Sequence, residues 1–241
     1  MNGFTLKWFG GLVSSLVKYN SQLKIAKELK RTKDWKESKA FVDEQIYTWI
    51  NPLIEKAQVE FIVEGKENIP LDEPIIYTPN HAGLFDIPAV IVSAPAVPIF
   101  MAKKEIASIP IVKDWMWVMD CVFVDRKNKS KARSSLHDAI EMVKKGRSIV
   151  VFPEGTRSKN GELGKFKGGA MKIAMETGAK IVPVYLEGTR ACFEETGNIT
   201  SGTVKVKFLE TIVTQGLTKE EFFEMPDKLR GIIQAEKDKA I

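Results

Sequence analysis

Only two histidines and two cysteines occur in the 241 residues of this chain. Cys121 and Cys192 stand alone, with no CxxC spacing and no Cys/His cluster. That excludes a zinc ribbon and a secreted disulfide scaffold, fits a reducing compartment, and leads us to expect no metal site. Neither a GxxxxGK[ST] loop nor a GxSxG elbow is present, which leaves P-loop nucleotide chemistry and an α/β-hydrolase nucleophile without support. Long apolar runs are missing too. Between Lys7 and Lys18 lie ten uncharged residues, whereas a helix needs about 20 to span a bilayer. The first hydrophobic run leads into polar, basic sequence without an A-x-A-like cleavage site, unlike a signal peptide. From residue 56 onward no linker rich in glycine, proline or serine divides the chain.

What is present is enough apolar sequence for a full core, 44% hydrophobic against 28% charged, with a net charge of +5. That charge is unevenly placed. The first 40 residues carry nine Lys/Arg and three acids, while the remaining 201 hold 27 bases and 28 acids. A nucleic-acid stripe along the main body therefore has no basis, and no nucleic acid is expected as a partner.

The basic N-terminus also has an apolar stripe. Phe9, Leu12, Val13, Leu16 and Val17 fall at the i, i+3, i+4, i+7, i+8 spacing of an amphipathic helix, and Trp8 adds an interfacial aromatic. Phe41, Val42, Ile46, Trp49, Ile50, Leu53 and Ile54 form a second stripe, with a disturbance expected at Asn51 and Pro52. Two uses of these stripes compete. They can pack on each other and on the domain behind them, or Trp8, Phe9, Leu12, Val13, Leu16 and Val17 can lie in a lipid surface, helped by the basic residues. We expect the second: a two-helix membrane-surface module over residues 1–55, followed by one domain over residues 56–241.

Beyond residue 56 short β-branched runs alternate with amphipathic stretches. Strands are predicted at 59–63, 75–78, 98–102, 121–125, 148–152, 181–186 and 203–209, with helices at 86–94, 110–119, 130–145, 168–177 and 218–238. This alternation predicts an α/β fold, a mixed or mostly parallel sheet flanked by helices.

Ligand sites in such sheets collect beyond the carboxyl ends of strands. The segment NHAGLFD, residues 80–86, follows one predicted strand. Pro79 and Gly83 favour a loop there, and a curved loop lets Asp86 fold back onto His81. A carboxylate on one ring nitrogen fixes the tautomer and leaves the other as a base. The plain alternative is a loop histidine capped by a helix-start aspartate. His137, inside a helical run, has no such surroundings. VVFPEGTRS, residues 150–158, repeats the layout of strand, proline and polar turn. Arg157 suits bidentate phosphate binding and Gly155 lets backbone amides approach an anion. EGTR recurs at residues 187–190, as coincidence or as a similar turn. Lys103, Lys104 and Arg126 follow two further strands. Cys121, among apolar neighbours, reads as a buried thiol and not a nucleophile.

Taken in order, these segments resemble the four blocks of the 1-acylglycerol-3-phosphate acyltransferase family, within the wider glycerolipid acyltransferases. NHAGLFD resembles its N-H-x-x-x-x-D block, residues 101–126 its second, VFPEGTRS its third and IVPV at 181–184 its fourth. The chain departs from the commonest pattern in having AGLF between the histidine and the aspartate, and in lacking a glycine before VFVDR. The resemblance implies acyl transfer from a thioester to the sn-2 hydroxyl of lysophosphatidic acid, with His81 and Asp86 catalytic. It also implies phosphate binding by Lys103, Arg126, Glu154, Gly155, Thr156 and Arg157. No cofactor is implied; acyl-CoA or acyl-carrier protein would be the co-substrate. A place on the cytoplasmic face of the cell membrane follows from the lipid substrate. Glycerol 3-phosphate or another lysophospholipid as acceptor, a thioesterase, and a lipid-binding protein without catalysis remain alternatives.

Overall fold

A computed structural model describes residues 1–239 of the chain. Three helices come first: α1 (Gly3–Lys18), α2 (Asn20–Thr32) and α3 (Trp35–Ala57). The expected two-helix module is thus a three-helix one. Residues 20–32 are rich in lysine, and their few apolar positions, including the buried Leu23 and Ala26, make a stripe too narrow to stand out in the sequence. Asn2 caps α1 by accepting from Thr5 N, and Asp34 caps α3 by accepting from Lys36 N and Glu37 N. Proline at 52 does not end α3, which continues to Ala57. A proline there cannot donate to the carbonyl four residues back. That carbonyl, of Thr48, accepts instead from the Tyr19 hydroxyl at 3.2 Å.

The remaining elements follow the predicted alternation: β1 (Val59–Glu64), β2 (Ile76–Pro79), α4 (Asp86–Ser93), β3 (Ile99–Lys103), α5 (Val112–Val118), β4 (Val122–Val124), α6 (Lys129–Lys144), β5 (Ile149–Val150), α7 (Gly169–Thr177), β6 (Ile181–Glu187), β7 (Gly202–Phe208) and α8 (Lys219–Lys239). All seven predicted strands are found, in one sheet of order β1-β7-β6-β2-β5-β3-β4. Every neighbouring pair is parallel except β6 and β7. The sheet is therefore mostly parallel, as expected, and the five strands β6, β2, β5, β3 and β4 bring their carboxyl ends to one edge.

Strand side chains alternate between two cores, the period-2 rule of a sheet buried on both faces. Tyr77, Val150, Val182 and Val184 join the cluster beneath α1 to α5, while Ile76, Ile149, Ile181 and Tyr185 join the one beneath α6 to α8. The N-terminal helices are built into the first cluster: Trp8, Leu23, Val42, Ile46 and Ile50 are buried there with sheet residues. Among the described residues no helix is long and apolar enough to cross a membrane.

Burial also decides which side of α1 faces out. Trp8 is only 8% exposed, and its indole N–H donates to the Leu53 carbonyl at 2.8 Å. Phe9, Leu12 and Leu16 pack against the core as partly buried residues. These four of the six expected lipid-facing residues point inward, because α3 and the sheet offer them an apolar partner. Val13 and Val17 are exposed, and with them Leu6, at an i, i+7, i+11 spacing along one outer face, beside the separate exposed Phe4.

Candidate active site

The loop between β2 and α4 folds back as its sequence requires. Asp86 opens α4 fully buried, and a single oxygen, Oδ2, accepts from three donors: His81 Nδ1 at 2.6 Å, Ala82 N at 2.8 Å and Gly83 N at 2.9 Å. This contact makes Nδ1 the protonated nitrogen, and Nε2 has no hydrogen-bond partner among the described residues. The imidazole stacks on Phe152 with ring centroids 4.0 Å apart, which restricts its rotation while one side stays reachable. The His81 side chain is 17% exposed.

The backbone of His81 is gripped from the neighbouring loop after β5. Its N–H donates to Glu154 Oε1 at 2.8 Å, and its carbonyl accepts from Ser158 N at 2.7 Å. Glu154 Oε2 accepts from Gly164 N at 3.0 Å. Glu154, buried like Asp86, is therefore engaged on both oxygens with backbone amides. Its geometry is that of a strut between loops, and the phosphate-binding place expected for it does not agree with this: both oxygens are already occupied, and a carboxylate would repel an incoming phosphate.

Two further residues fix the loop: Asn80, given no role of its own from the sequence, and Gly83, expected there as a bend. Asn80 is buried and makes a reciprocal pair with β6, donating to the Leu186 carbonyl at 2.9 Å and accepting from Leu186 N at 2.7 Å. It continues the β2–β6 pairing past Pro79. Gly83 lies so close to the next loop that a Cβ there would stand 2.6 Å from the Thr189 carbonyl oxygen. The side-chain-free position is thus required for packing, not for an unusual backbone angle.

The basic residues converge in part. Arg126 donates through Nη1 to the Gly155 carbonyl, which brings β4 and β5 loops together. Gly155 takes a left-handed φ of +71°. Lys167, unanticipated, arches over this turn, its Nζ 2.6 Å from where a Gly155 Cβ would be. Arg157 is half-exposed and pairs with Glu194 at 2.5 Å. Thr156 is exposed. Lys103 is bonded to none of these residues: its partner is Glu105, at 3.6 Å. Lys104 pairs with Asp125 at 2.7 Å. The second EGTR is a similar turn: Gly188 also has a left-handed φ, +84°, at the end of β6.

Cys121 Sγ accepts from Phe100 N at 3.4 Å, and burial pushes its thiol up to about 12. It has no part in the His81 arrangement and remains protonated at neutral pH. His137 is an exposed residue on α6.

A histidine held by a buried carboxylate, at the carboxyl edge of a mostly parallel sheet and flanked by basic loops, has the geometry that a general base requires. A family model described as Acyltransferase matches residues 60–187, more than half of the chain and the whole of this site from β1 to the end of β6. The chain belongs to the acyltransferase family. Among this family's curated relatives, a 1-acyl-sn-glycerol-3-phosphate acyltransferase from Borreliella burgdorferi is 38% identical over 131 residues, covering 54% of this chain and 52% of its own. The chloroplastic enzyme LPAT1 of Arabidopsis thaliana is 39% identical over 125 residues, 52% of this chain and 35% of its own. The chain thus spans about half or less of these relatives. It matches a solved structure far more fully: the crystal structure of the 1-acyl-sn-glycerophosphate acyltransferase PlsC from Thermotoga maritima covers 98% of this acyltransferase and 94% of its own chain, with a TM-score of 0.84 and 28% identity.

Proposed function

We propose that this acyltransferase moves an acyl chain from a thioester, acyl-CoA or acyl-carrier protein, to the free sn-2 hydroxyl of lysophosphatidic acid, forming phosphatidic acid for phospholipid synthesis. The observation that carries this reading is the 2.6 Å contact between His81 Nδ1 and Asp86 Oδ2, with the opposite ring nitrogen unpartnered among the described residues. His81 Nε2 takes the proton of the acceptor hydroxyl as its oxygen attacks the thioester carbonyl. The tetrahedral intermediate then collapses, the carbon–sulfur bond breaks, and the imidazolium returns the proton to the departing thiolate. An ester and a free thiol result, with no bond to the enzyme. Asp86 steadies the imidazolium and keeps its tautomer.

The acceptor's phosphate would lie over the loop after β5, at the Gly155 turn that Arg126 and Lys167 approach, with Arg157 of the same loop swinging in from Glu194. The names of the relatives support this acceptor class. A lipid acceptor also gives the outer face of α1 a role. Leu6, Val13 and Val17 stand exposed in the most basic part of the chain, which fits peripheral seating on an anionic membrane surface, on its cytoplasmic face.

The test is thiol release by wild type and His81→Ala, supplied with acyl-CoA or acyl-carrier protein and lysophosphatidic acid in mixed micelles, with the product identified by mass. General-base assistance is worth about 10²- to 10⁴-fold, so the variant should lose at least that much turnover. Near-normal turnover in His81→Ala would refute the mechanism. Release without any need for an acceptor would make the protein a thioesterase.

A further inference from the structure

Arg157 reaches away from the Gly155 turn to Glu194, in the loop after β6. Glu194 Oε1 lies 2.5 Å from Arg157 Nη1. The two partners differ in freedom: the Glu194 side chain is 15% exposed, whereas that of Arg157 is 48% exposed. Glu194 Oε2 is buried and without a hydrogen-bond partner among the described residues. A mostly buried carboxylate thus has Arg157 as its one cationic partner among the described residues.

The segment carrying Glu194 is anchored. Its neighbour Phe193 packs edge-on against Phe9 of α1, with ring centroids 5.7 Å apart. Ile199 N donates to the buried Thr5 hydroxyl at 2.8 Å, and Thr200 N donates to the Cys192 carbonyl at 3.0 Å. A fixed acid therefore faces a long, half-exposed base on the phosphate loop. When the pair exchanges partners, Arg157 is the member that moves.

We propose that Glu194 is an internal anion that competes with the acceptor's phosphate for Arg157. The inference rests on the reading of Arg157 as a phosphate ligand. With the site empty, the carboxylate holds the guanidinium. A phosphomonoester, with a charge near −1.5 to −2 at neutral pH and three acceptor oxygens, offers a stronger bidentate partner and draws Arg157 away. The acylated product carries the same phosphate. An internal competitor therefore weakens product as well as substrate binding, and Glu194 recaptures Arg157 as product leaves. Glu194 acts through Arg157 and not on the reacting atoms, so it tunes affinity and release.

Glu194→Gln keeps the shape and removes the competing charge. Losing a hydrogen bond to a charged group changes an equilibrium by roughly tenfold or more. The KM for lysophosphatidic acid should fall by about that factor, inhibition by phosphatidic acid should strengthen in proportion, and kcat should stay level or fall. The gain needs Arg157, so Arg157→Ala/Glu194→Gln should match Arg157→Ala alone. Glu194→Ala serves as a second variant, and inorganic phosphate as competitive inhibitor gives a readout that does not depend on how the lipid chain is bound: its inhibition constant should drop in both variants. An unchanged or raised KM together with unchanged or weakened phosphate inhibition would overturn the proposal. If Arg157→Ala alone leaves the KM untouched, the phosphate assignment itself fails, whatever Glu194→Gln does.

Discussion

Replacing Glu154 by glutamine separates a structural strut from a substrate ligand. The carboxylate accepts from His81 N at 2.8 Å and from Gly164 N at 3.0 Å and is 5% exposed. Glutamine has the same volume but one acceptor oxygen, so its NH2 group must meet one of the two backbone N–H donors. One charge-assisted bond is lost outright and the other becomes a neutral one, leaving a buried donor unpaired. A hydrogen bond to a charged group is worth about 1.5–3 kcal/mol, and weakening its companion adds about 1 kcal/mol, so the change should cost about 2.5–4 kcal/mol. For a chain of this size about 1 kcal/mol moves the melting temperature by about 2–4 °C, which gives a drop of roughly 5–16 °C. His81 loses its backbone anchor on the same change, and a misplacement of about 1 Å can cost about 10²-fold in rate. Thermal melting by circular dichroism and thiol release with lysophosphatidic acid read the two effects. A fall in melting temperature with a fall in kcat and little change in KM is the expected result. A melt within about 2 °C of wild type and a raised KM at normal kcat would refute the strut and return Glu154 to the phosphate pocket.

Gly83→Ala should destabilise the protein by about 1–3 kcal/mol, the usual range for overpacking, and lower turnover more than stability predicts. Its Cβ would press on the Thr189 backbone, 2.6 Å away, and that carbonyl cannot rotate aside as a side chain could; wild-type turnover in the alanine variant would show that the two loops are not packed as described. Burial pushes the Cys121 thiol up to about 12 and the Cys192 thiol up to about 11, so neither should be thiolate at pH 8. Alkylation should be slow in the native protein and reach both cysteines only on unfolding, and rapid labelling of the folded protein would contradict this. Glutamate at Leu6, Val13 and Val17 together should cut recovery of the protein in flotation with anionic liposomes. Recovery equal to wild type would remove the membrane role from α1. Deleting residues 1–55 is not an equivalent test, since it strips Trp8, Leu23, Val42, Ile46 and Ile50 from the core shared with the sheet.

The sequence by itself determined whatever depends on residues near one another in the chain. Strand and helix alternate because side chains repeat at periods of 2 and 3.6, and those periods are readable wherever a face is buried. His81 and Asp86 were legible as a pair because one short loop, shaped by Pro79 and Gly83, carries both. The kinship of VFPEGTRS was legible for the same reason. Tertiary structure alone decided which of two apolar faces of α1 lies inside, since Trp8, Phe9, Leu12 and Leu16 turn inward only because α3 and the sheet are there to receive them. It also decided the job of Glu154, which joins His81 of the β2–α4 loop to Gly164 further along its own loop, the folding of Lys167 back over Gly155, and the arrival of Glu194 at Arg157. No local period marks such meetings. They arise where crossover connections bring separate strand ends to one edge of the sheet, and a buried carboxylate acquires its role from whichever donors that edge supplies.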